Sequence, residues 1–276
     1  MQYRPTSLNI LPPVVKNLFI INGLFLLATY VLGKQGINLE DKLGMHFIFS
    51  EKFQPYQLVT YMFMHADRAH LISNMITLWI FGSFVENYWG PRRFLTYYLL
   101  TGMGAACIHY FVEYYHSIRP VLQFINSYPG YKDPAEFISF FRTLPGIGFS
   151  EHMQTITASY DSLLVAGHST PQMGQLAHEI VQQYKIDFCN TPVIIGASGS
   201  VFGILLAFGM LFPDSTPFLL LPIKGKWIVL MYGLTELAAS IANAPGDNVA
   251  HFAHLGGMFF GFILIKYWRH RRNNLY

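Results

Sequence analysis

The sequence predicts an all-α membrane protein, a bundle of six transmembrane helices with a large extracytoplasmic insertion between helices three and four. Three observations support this fold class: the composition, six apolar stretches, and the uneven placement of lysine and arginine. Hydrophobic residues make up 52% of the 276 residues and charged residues only 12%, about half of the roughly 25% that is usual in soluble domains. This composition indicates one membrane domain over residues 1–276 with a lipid bilayer as its partner, and no nucleic-acid partner is predicted.

Six apolar stretches are long enough, or nearly long enough, to cross a hydrocarbon core of about 30 Å. They cover residues 14–32, 70–88, 94–112, 198–212, 227–242 and 249–268. The fourth stretch is shorter than the roughly 20 residues that a spanning helix needs. The extended residues 191–197 ahead of it are therefore expected to line protein or water, because unpaired backbone groups are not tolerated in lipid.

The composition changes between the third and the fourth stretch. Residues 113–191 are polar, with prolines at positions 120, 129, 134, 145 and 171. A structureless loop of this length is uncommon, so we predict an extramembrane insertion with helices of its own, one of them over residues 172–184. Its histidines, His152, His168 and His178, are too scattered for a metal site.

Lysine and arginine are concentrated at one end of the predicted helices. The basic clusters adjoin the second, fifth and sixth stretches and contain Arg92, Arg93, Lys224, Lys226, Lys266, Arg269, Arg271 and Arg272. The turn between the fifth and sixth stretches has no basic residue, and the insertion has only four. Because cytoplasmic loops carry an excess of lysine and arginine, both termini are predicted in the cytosol and the insertion outside. With no recognisable transit peptide, the plasma (inner) membrane of a bacterium is favoured.

Polar side chains on three of these helices lie at nearly one depth. At 1.5 Å per residue, Ser198 is about 22 Å, Asn74 about 21 Å and His254 about 18 Å above the cytosolic ends of their helices. His70 lies one turn above Asn74 on the same helix face. Polar groups at membrane depth are costly and usually functional, so the common depth predicts a single site.

Small residues predict which helices touch. Gly199 and Gly203 are one turn apart on the fourth helix, and Ala253, Gly257 and Gly261 form a stripe on the sixth. Such stripes let two helix backbones approach closely in lipid. Tight packing alone would explain the glycines, but it does not explain why a serine and a histidine stand directly beside them.

Three motifs, each on a different predicted helix, resemble those of the rhomboid family of intramembrane serine proteases. They are Gly196-Ala-Ser-Gly199 in the fourth helix, His70-Leu-Ile-Ser-Asn74 in the second, and Ala253-His-Leu-Gly-Gly-Met-Phe-Phe-Gly261 in the sixth. Glu86, Trp89-Gly90 and Arg93-Phe94 also resemble the family's pattern at the end of the second helix. The similarity covers the six helices and leaves the insertion outside.

The resemblance implies a serine endopeptidase that cleaves single-pass transmembrane proteins near the outer side of the membrane, without metal or cofactor. Ser198 would be the nucleophile, and His254 would take its proton and return it to the leaving amine. The family's catalytic histidine has glycines three and seven residues after it, which His254 has and His251 lacks. His251 is therefore expected to be a hydrogen-bonding neighbour, and no acidic residue is expected beside His254.

The resemblance also implies roles for Asn74 and His70. Both would donate hydrogen bonds to the oxyanion of the tetrahedral intermediate, together with the backbone N–H of Ser198 at a helix N-terminus. The alternative for Asn74 is a hydrogen bond between helices with no part in catalysis. Phe202, one turn after Ser198, is expected to stack against the ring of His254.

The remaining polar residues receive simpler interpretations. His65 is expected to be structural, and Glu86 to hold helix ends together. Glu236 on the fifth helix could face a water-filled cavity or pair locally, and the sequence leaves both open.

Two alternatives to a protease stand beside this prediction. The first is a catalytically inactive rhomboid-like protein that binds transmembrane clients, although the expected loss of the serine or histidine has not occurred. The second is a metal site or transporter built from His65, His70, His251 and His254. That alternative leaves Ser198 and its glycines without a purpose.

Overall fold

The computed structural model describes residues 9–167, 171–218, 222–242 and 250–273, and helices dominate them. The chain divides into two compact units. The first unit comprises residues 1–45, 54–111 and 194–276, and the second comprises residues 46–53 and 112–193. The assignment of residues 1–276 to one domain with an insertion at 113–191 stays a prediction.

In chain order the elements are α1 (Pro13–Gly33), α2 (Leu39–Leu43), β1 (Met45–His46), α3 (Gln57–Thr60), α4 (Arg68–Thr77), α5 (Ser83–Trp89), α6 (Pro91–Glu113), α7 (Arg119–Asn126), α8 (Pro134–Arg142), α9 (Glu151–Val165), α10 (Pro171–Asn190), β2 (Val193–Ile194), α11 (Ser198–Leu211), α12 (Gly225–Ala242) and α13 (His251–Asn273). A 3₁₀ turn (Tyr61–Phe63) follows α3. Two π-helical segments, Leu78–Gly82 and Tyr114–Ile118, join α4 to α5 and α6 to α7.

All six predicted apolar stretches are helical where the structure describes them, except for Phe212 after α11 and Ala250 before α13. Two helical stretches in the described chain, Pro13–Gly33 and Pro91–Asn126, are long and apolar enough to cross a membrane, and Ser198–Leu211 is a shorter apolar helix. The helical character is thus confirmed, whereas the count of six crossings stays a prediction. The turn before the sixth stretch, residues 243–248, and the first residue of that stretch lie outside the described residues.

A glycine and a proline make the turn between α5 and α6. Gly90 has a φ of 80°, in the left-handed region that glycine adopts without strain. Pro91 then begins α6, because a first helical residue needs no N–H partner. The guanidinium of Arg93 lies 4.9 Å from the ring centroid of Trp89 and 4.4 Å from that of Trp268. These cation–π contacts hold the start of α6 against α5 and α13.

A second basic turn precedes α12. The Nζ atoms of Lys226 and Lys224 lie 2.9 and 3.2 Å from Oδ1 of Asp214. Hydrogen bonds from Lys226 and Lys224 lower the pKa of the Asp214 carboxyl below its ordinary value. Since these groups are exposed, such pairs contribute little to stability, and they gather two positive charges at one turn.

The carboxylate of Glu86 binds the start of α1. Its Oε1 accepts a hydrogen bond from the N–H of Val14 at 2.9 Å, and Oε2 accepts one from Val15 at 2.8 Å. The first N–H groups of a helix have no intrahelical partners and form the positive end of the helix dipole. The prediction that Glu86 holds helix ends together is confirmed.

The backbones of α11 and α13 approach each other at glycines. A Cβ added at Gly257 would overlap the carbonyl oxygen of Gly199, and one added at Gly199 would lie 3.5 Å from the carbonyl oxygen of Ala253. The Tyr97 hydroxyl of α6 donates to the carbonyl oxygen of Gly203 at 2.8 Å. The small-residue stripes therefore mark a close helix crossing, as the sequence predicted.

The second unit carries helices α7 to α10. The predicted helix over residues 172–184 is part of the longer α10. Asp187 of α10 accepts hydrogen bonds from the N–H and the hydroxyl of Ser150, at 3.0 and 2.9 Å, at the start of α9. Of the three histidines here, His152 contacts Glu179, His178 is exposed, and His168 lies outside the described residues.

Candidate active site

Gly196 sets the position of Ser198, the first residue of α11. Gly196 has a φ of +124°, which side-chain-bearing residues rarely adopt. Its N–H donates to the carbonyl oxygen of Tyr61 at 2.9 Å. Ala197 is buried, whereas Ser198 is only half-buried. The serine therefore lies at a helix N-terminus, where backbone N–H groups lack intrahelical partners.

His70 of α4 lies against the same glycine. A Cβ added at Gly196 would be 2.8 Å from Cε1 and 2.9 Å from Nε2 of His70, and 3.7 Å from Oγ of Ser198. The imidazole and the hydroxyl thus flank a position where only glycine fits. The ring of His65 packs edge-on against His70 with centroids 5.0 Å apart and is fully buried, in keeping with a structural role.

Asn74 lies one turn after His70 on α4. Asp67 caps this helix, because its Oδ1 accepts a hydrogen bond from the N–H of His70 at 2.8 Å. Asn74 is buried, and its Nδ2 donates to the carbonyl oxygen of His70 at 3.1 Å. A side-chain amide has two N–H donors, so this bond uses one of them. The amide and the His70 ring belong to the same helix face.

The ring of His254 is stacked on Phe202. The two ring centroids are 4.3 Å apart and the planes differ by 6°, so the predicted stack is confirmed. Phe202 lies one turn after Ser198 on α11, on the same face. The stack therefore holds the predicted base against the residue that lies one turn after the predicted nucleophile, next to the crossing at Gly257.

Glu236 of α12 contacts both histidines of α13. Its Oε2 accepts hydrogen bonds from Nδ1 of His254 at 2.8 Å and from Nδ1 of His251 at 2.6 Å. The three side chains are between 10% and 15% exposed. The expectation that no acidic residue lies beside His254 is therefore wrong. Of the two options left open for Glu236, local pairing is present, and His251 is a neighbour of His254 through this carboxylate.

The rise per residue of the fifth helix places Glu236 close to the depth predicted for His254, and this signal could have identified it as a site residue. The residue lies 11 positions after Gly225, the start of α12, which places it about 16 Å from that end. His254 lies at about 18 Å by the same measure. What the sequence could not show is the direction in which Glu236 points, because hydrophobic residues surround it in the sequence.

Glu236, His251 and His254 are also residue types that bind metal ions. In the described part of the chain their ligand atoms lie within 4.8 Å of one another. This group differs from the four-histidine site considered above, since it contains neither His65 nor His70. The four-histidine alternative therefore does not correspond to the group that the fold brings together.

The family model of the rhomboid domain matches residues 52–271. The match covers most of the chain and includes all four predicted site residues. This chain belongs to the rhomboid family. Family membership and the helical structure make it an all-α integral membrane protein.

Two curated relatives from Arabidopsis thaliana are rhomboid-like proteins. The rhomboid is 44% identical over 57 residues to "Rhomboid-like protein 11, chloroplastic", which is 21% of this chain and 20% of the relative. It is 35% identical over 54 residues to "RHOMBOID-like protein 12, mitochondrial", which is 20% of this chain and 16% of the relative. The matched segment spans only about a fifth of each relative's length.

Proposed function

We propose that this rhomboid is an active intramembrane serine endopeptidase that cleaves single-pass transmembrane proteins near the outer side of the membrane. The observation that supports it most is the stack of His254 on Phe202, one turn from Ser198. A half-buried serine at a helix N-terminus and a buried imidazole stacked on the next turn of that helix are the two residue types of a nucleophile and its general base.

The proposed reaction is an acyl transfer to the serine followed by hydrolysis. Ser198 Oγ attacks the carbonyl carbon of the scissile peptide while Nε2 of His254 takes its proton. The peptide C–N bond then breaks, and His254 returns the proton to the leaving amine. Water hydrolyses the acyl-enzyme by the same exchange of protons, which regenerates the free serine.

The negative charge that develops on the carbonyl oxygen requires donors. The backbone N–H of Ser198, the Asn74 amide and the His70 ring are the proposed donors. Support comes from Gly196, since the His70 ring and the Ser198 hydroxyl both flank that glycine. Removing one donor of an oxyanion hole commonly costs about 2.7–4 kcal/mol of transition-state stabilisation.

Peptide hydrolysis also needs water at the serine. Helix α11 has 14 residues and is therefore about 21 Å long, less than the roughly 30 Å of the hydrocarbon core. A helix this short leaves room for a cavity that opens to the outer aqueous phase. A substrate helix would enter sideways and unwind near its top, so small or helix-breaking residues are expected at the cleavage site.

The proposed topology has six membrane crossings, with the insertion at residues 113–191 outside and both termini in the cytosol. The basic residues at the turns before α6 and α12 and in α13 support it. The location in a bacterial plasma membrane stays a prediction. The two relatives do not support it, because their names assign them to chloroplasts and mitochondria.

Labelling with a serine-reactive fluorophosphonate tests the function. We expect the wild type to be labelled and Ser198→Ala to be unlabelled, because the reagent requires an activated hydroxyl. Ser200→Ala is the matched control, since the buried Ser200 hydroxyl donates to the carbonyl oxygen of Tyr98 at 2.8 Å. The readout is the in-gel fluorescence of each purified protein.

Equal labelling of the wild type and Ser198→Ala would reject the proposed protease function. A folded wild type that is neither labelled nor able to cleave any transmembrane substrate would instead favour the inactive, client-binding alternative.

Asn74→Ala is expected to lower kcat by about 10²–10³-fold with little change in KM, because an oxyanion donor acts mainly in the transition state. Thr77→Ala is the control on the same helix, since its exposed hydroxyl only donates to the carbonyl oxygen of Ser73. The measurement is steady-state cleavage of a transmembrane substrate in liposomes. A normal kcat in Asn74→Ala would leave Asn74 with no part in catalysis.

A further inference from the structure

We propose that Glu236 is a positioning residue for His254, so that the site operates as a serine–histidine–glutamate arrangement rather than a dyad. The inference rests on the proposed protease function and deepens it. It comes from the hydrogen bond between the Glu236 carboxylate and the face-stacked His254 ring.

The carboxylate determines which ring nitrogen of His254 carries the proton. Oε2 of Glu236 lies 2.8 Å from Nδ1, and an ionised carboxylate only accepts hydrogen bonds. Nδ1 therefore holds the hydrogen, and Nε2 keeps the lone pair that a general base needs.

Two contacts together restrict the His254 ring. The stack on Phe202, with planes 6° apart, fixes the plane of the imidazole but permits a 180° flip of the ring about its Cβ–Cγ bond, which exchanges the positions of Nδ1 and Cδ2. The hydrogen bond to Glu236 opposes that flip, because it would place a C–H group instead of Nδ1 against Oε2. A buried ring with both contacts has one orientation available for proton transfer.

A second hydrogen bond also holds the Glu236 carboxylate in place. His251, one turn before His254 on α13, donates from Nδ1 to the same Oε2 at 2.6 Å. The two N–H donors offset the cost of keeping a largely buried charge on an apolar helix. When His254 takes the serine proton and becomes positively charged, the same carboxylate stabilises that charge.

Hydrogen bonding describes this group better than metal binding. In a tetrahedral zinc site with bonds of about 2.0–2.1 Å, two ligand atoms are about 3.3 Å apart. Here the two nitrogen–oxygen distances are 2.6 and 2.8 Å, which are hydrogen-bond lengths. The three side chains would have to separate before an ion could enter between them.

Glu236→Gln keeps the side-chain volume and removes the charge. We expect kcat to fall by about 10²–10⁴-fold with KM within about twofold, as when the acid of a serine protease triad becomes an amide. The rate of fluorophosphonate labelling at Ser198 should fall in parallel. Thr235→Ala is the matched control on α12, since its exposed hydroxyl only donates to the carbonyl oxygen of Tyr232.

Several outcomes would overturn the inference. A wild-type kcat in Glu236→Gln would do so, as would a lowered thermal midpoint with a fall in kcat no larger than the fall in the folded fraction, which indicates a purely structural role. One zinc ion per purified chain, lost in Glu236→Gln and upon chelation, would make the group a metal site. An inactive and unlabelled wild type would instead reject the proposed protease function, and this result differs from one in which only the role of Glu236 fails.

Discussion

The double variant Ser198→Ala/His254→Ala is expected to retain the same residual activity as either single variant. In the proposed mechanism the hydroxyl and the imidazole act in one proton transfer, so removing either one already abolishes it. In other serine proteases each such loss costs about 10⁶-fold in kcat, and the losses do not add. The measurement is single-turnover cleavage of a transmembrane substrate in liposomes.

The stack on Phe202 makes this non-additivity a structural expectation. His254 is stacked on Phe202, the residue one turn after Ser198, and substitutions at residues that share a partner commonly couple. Ser200→Ala serves as the control with near wild-type turnover. Losses that multiply in the double variant would show that the two residues act independently, which contradicts the proposed pairing.

Gly257→Ala is expected to prevent the normal crossing of α11 and α13. The added Cβ would overlap the carbonyl oxygen of Gly199, which is backbone and cannot turn away as a flexible side chain could. Overpacking a closely packed contact costs about 1–3 kcal/mol and occasionally more, and this position should lie at or beyond the upper end. We expect a lower thermal midpoint in detergent and loss of fluorophosphonate labelling.

Gly23→Ala on α1 is the matched control for this substitution. A Cβ at Gly23 meets nothing within 4 Å, and alanine is favoured over glycine within a helix by roughly 0.5–1 kcal/mol. It should therefore keep both labelling and stability. If Gly257→Ala behaves like Gly23→Ala, the helices do not approach each other as closely as described, and the position of His254 relative to Ser198 changes with them.

Much of the candidate site could be predicted from local patterns. Gly196 and Ser198 lie two positions apart in the sequence, and His254 and Gly257 lie one turn apart, so motif spacing and helical rise are sufficient to predict one depth for them. Phe202 could be predicted for the same reason, since it lies one turn from Ser198. The partner of Glu86 could be foreseen only in kind, as a helix end, because it depends on how α1 meets α5.

The sequence by itself determined the helical stretches and the close crossing at Gly199 and Gly257, and it predicted a common depth for the polar residues. Only the tertiary structure decided that Glu236 contacts His254. Depth follows from the rise per residue, which is a property of one helix. The direction of a side chain depends on how far α12 is rotated relative to α13, and packing between the two helices determines that rotation.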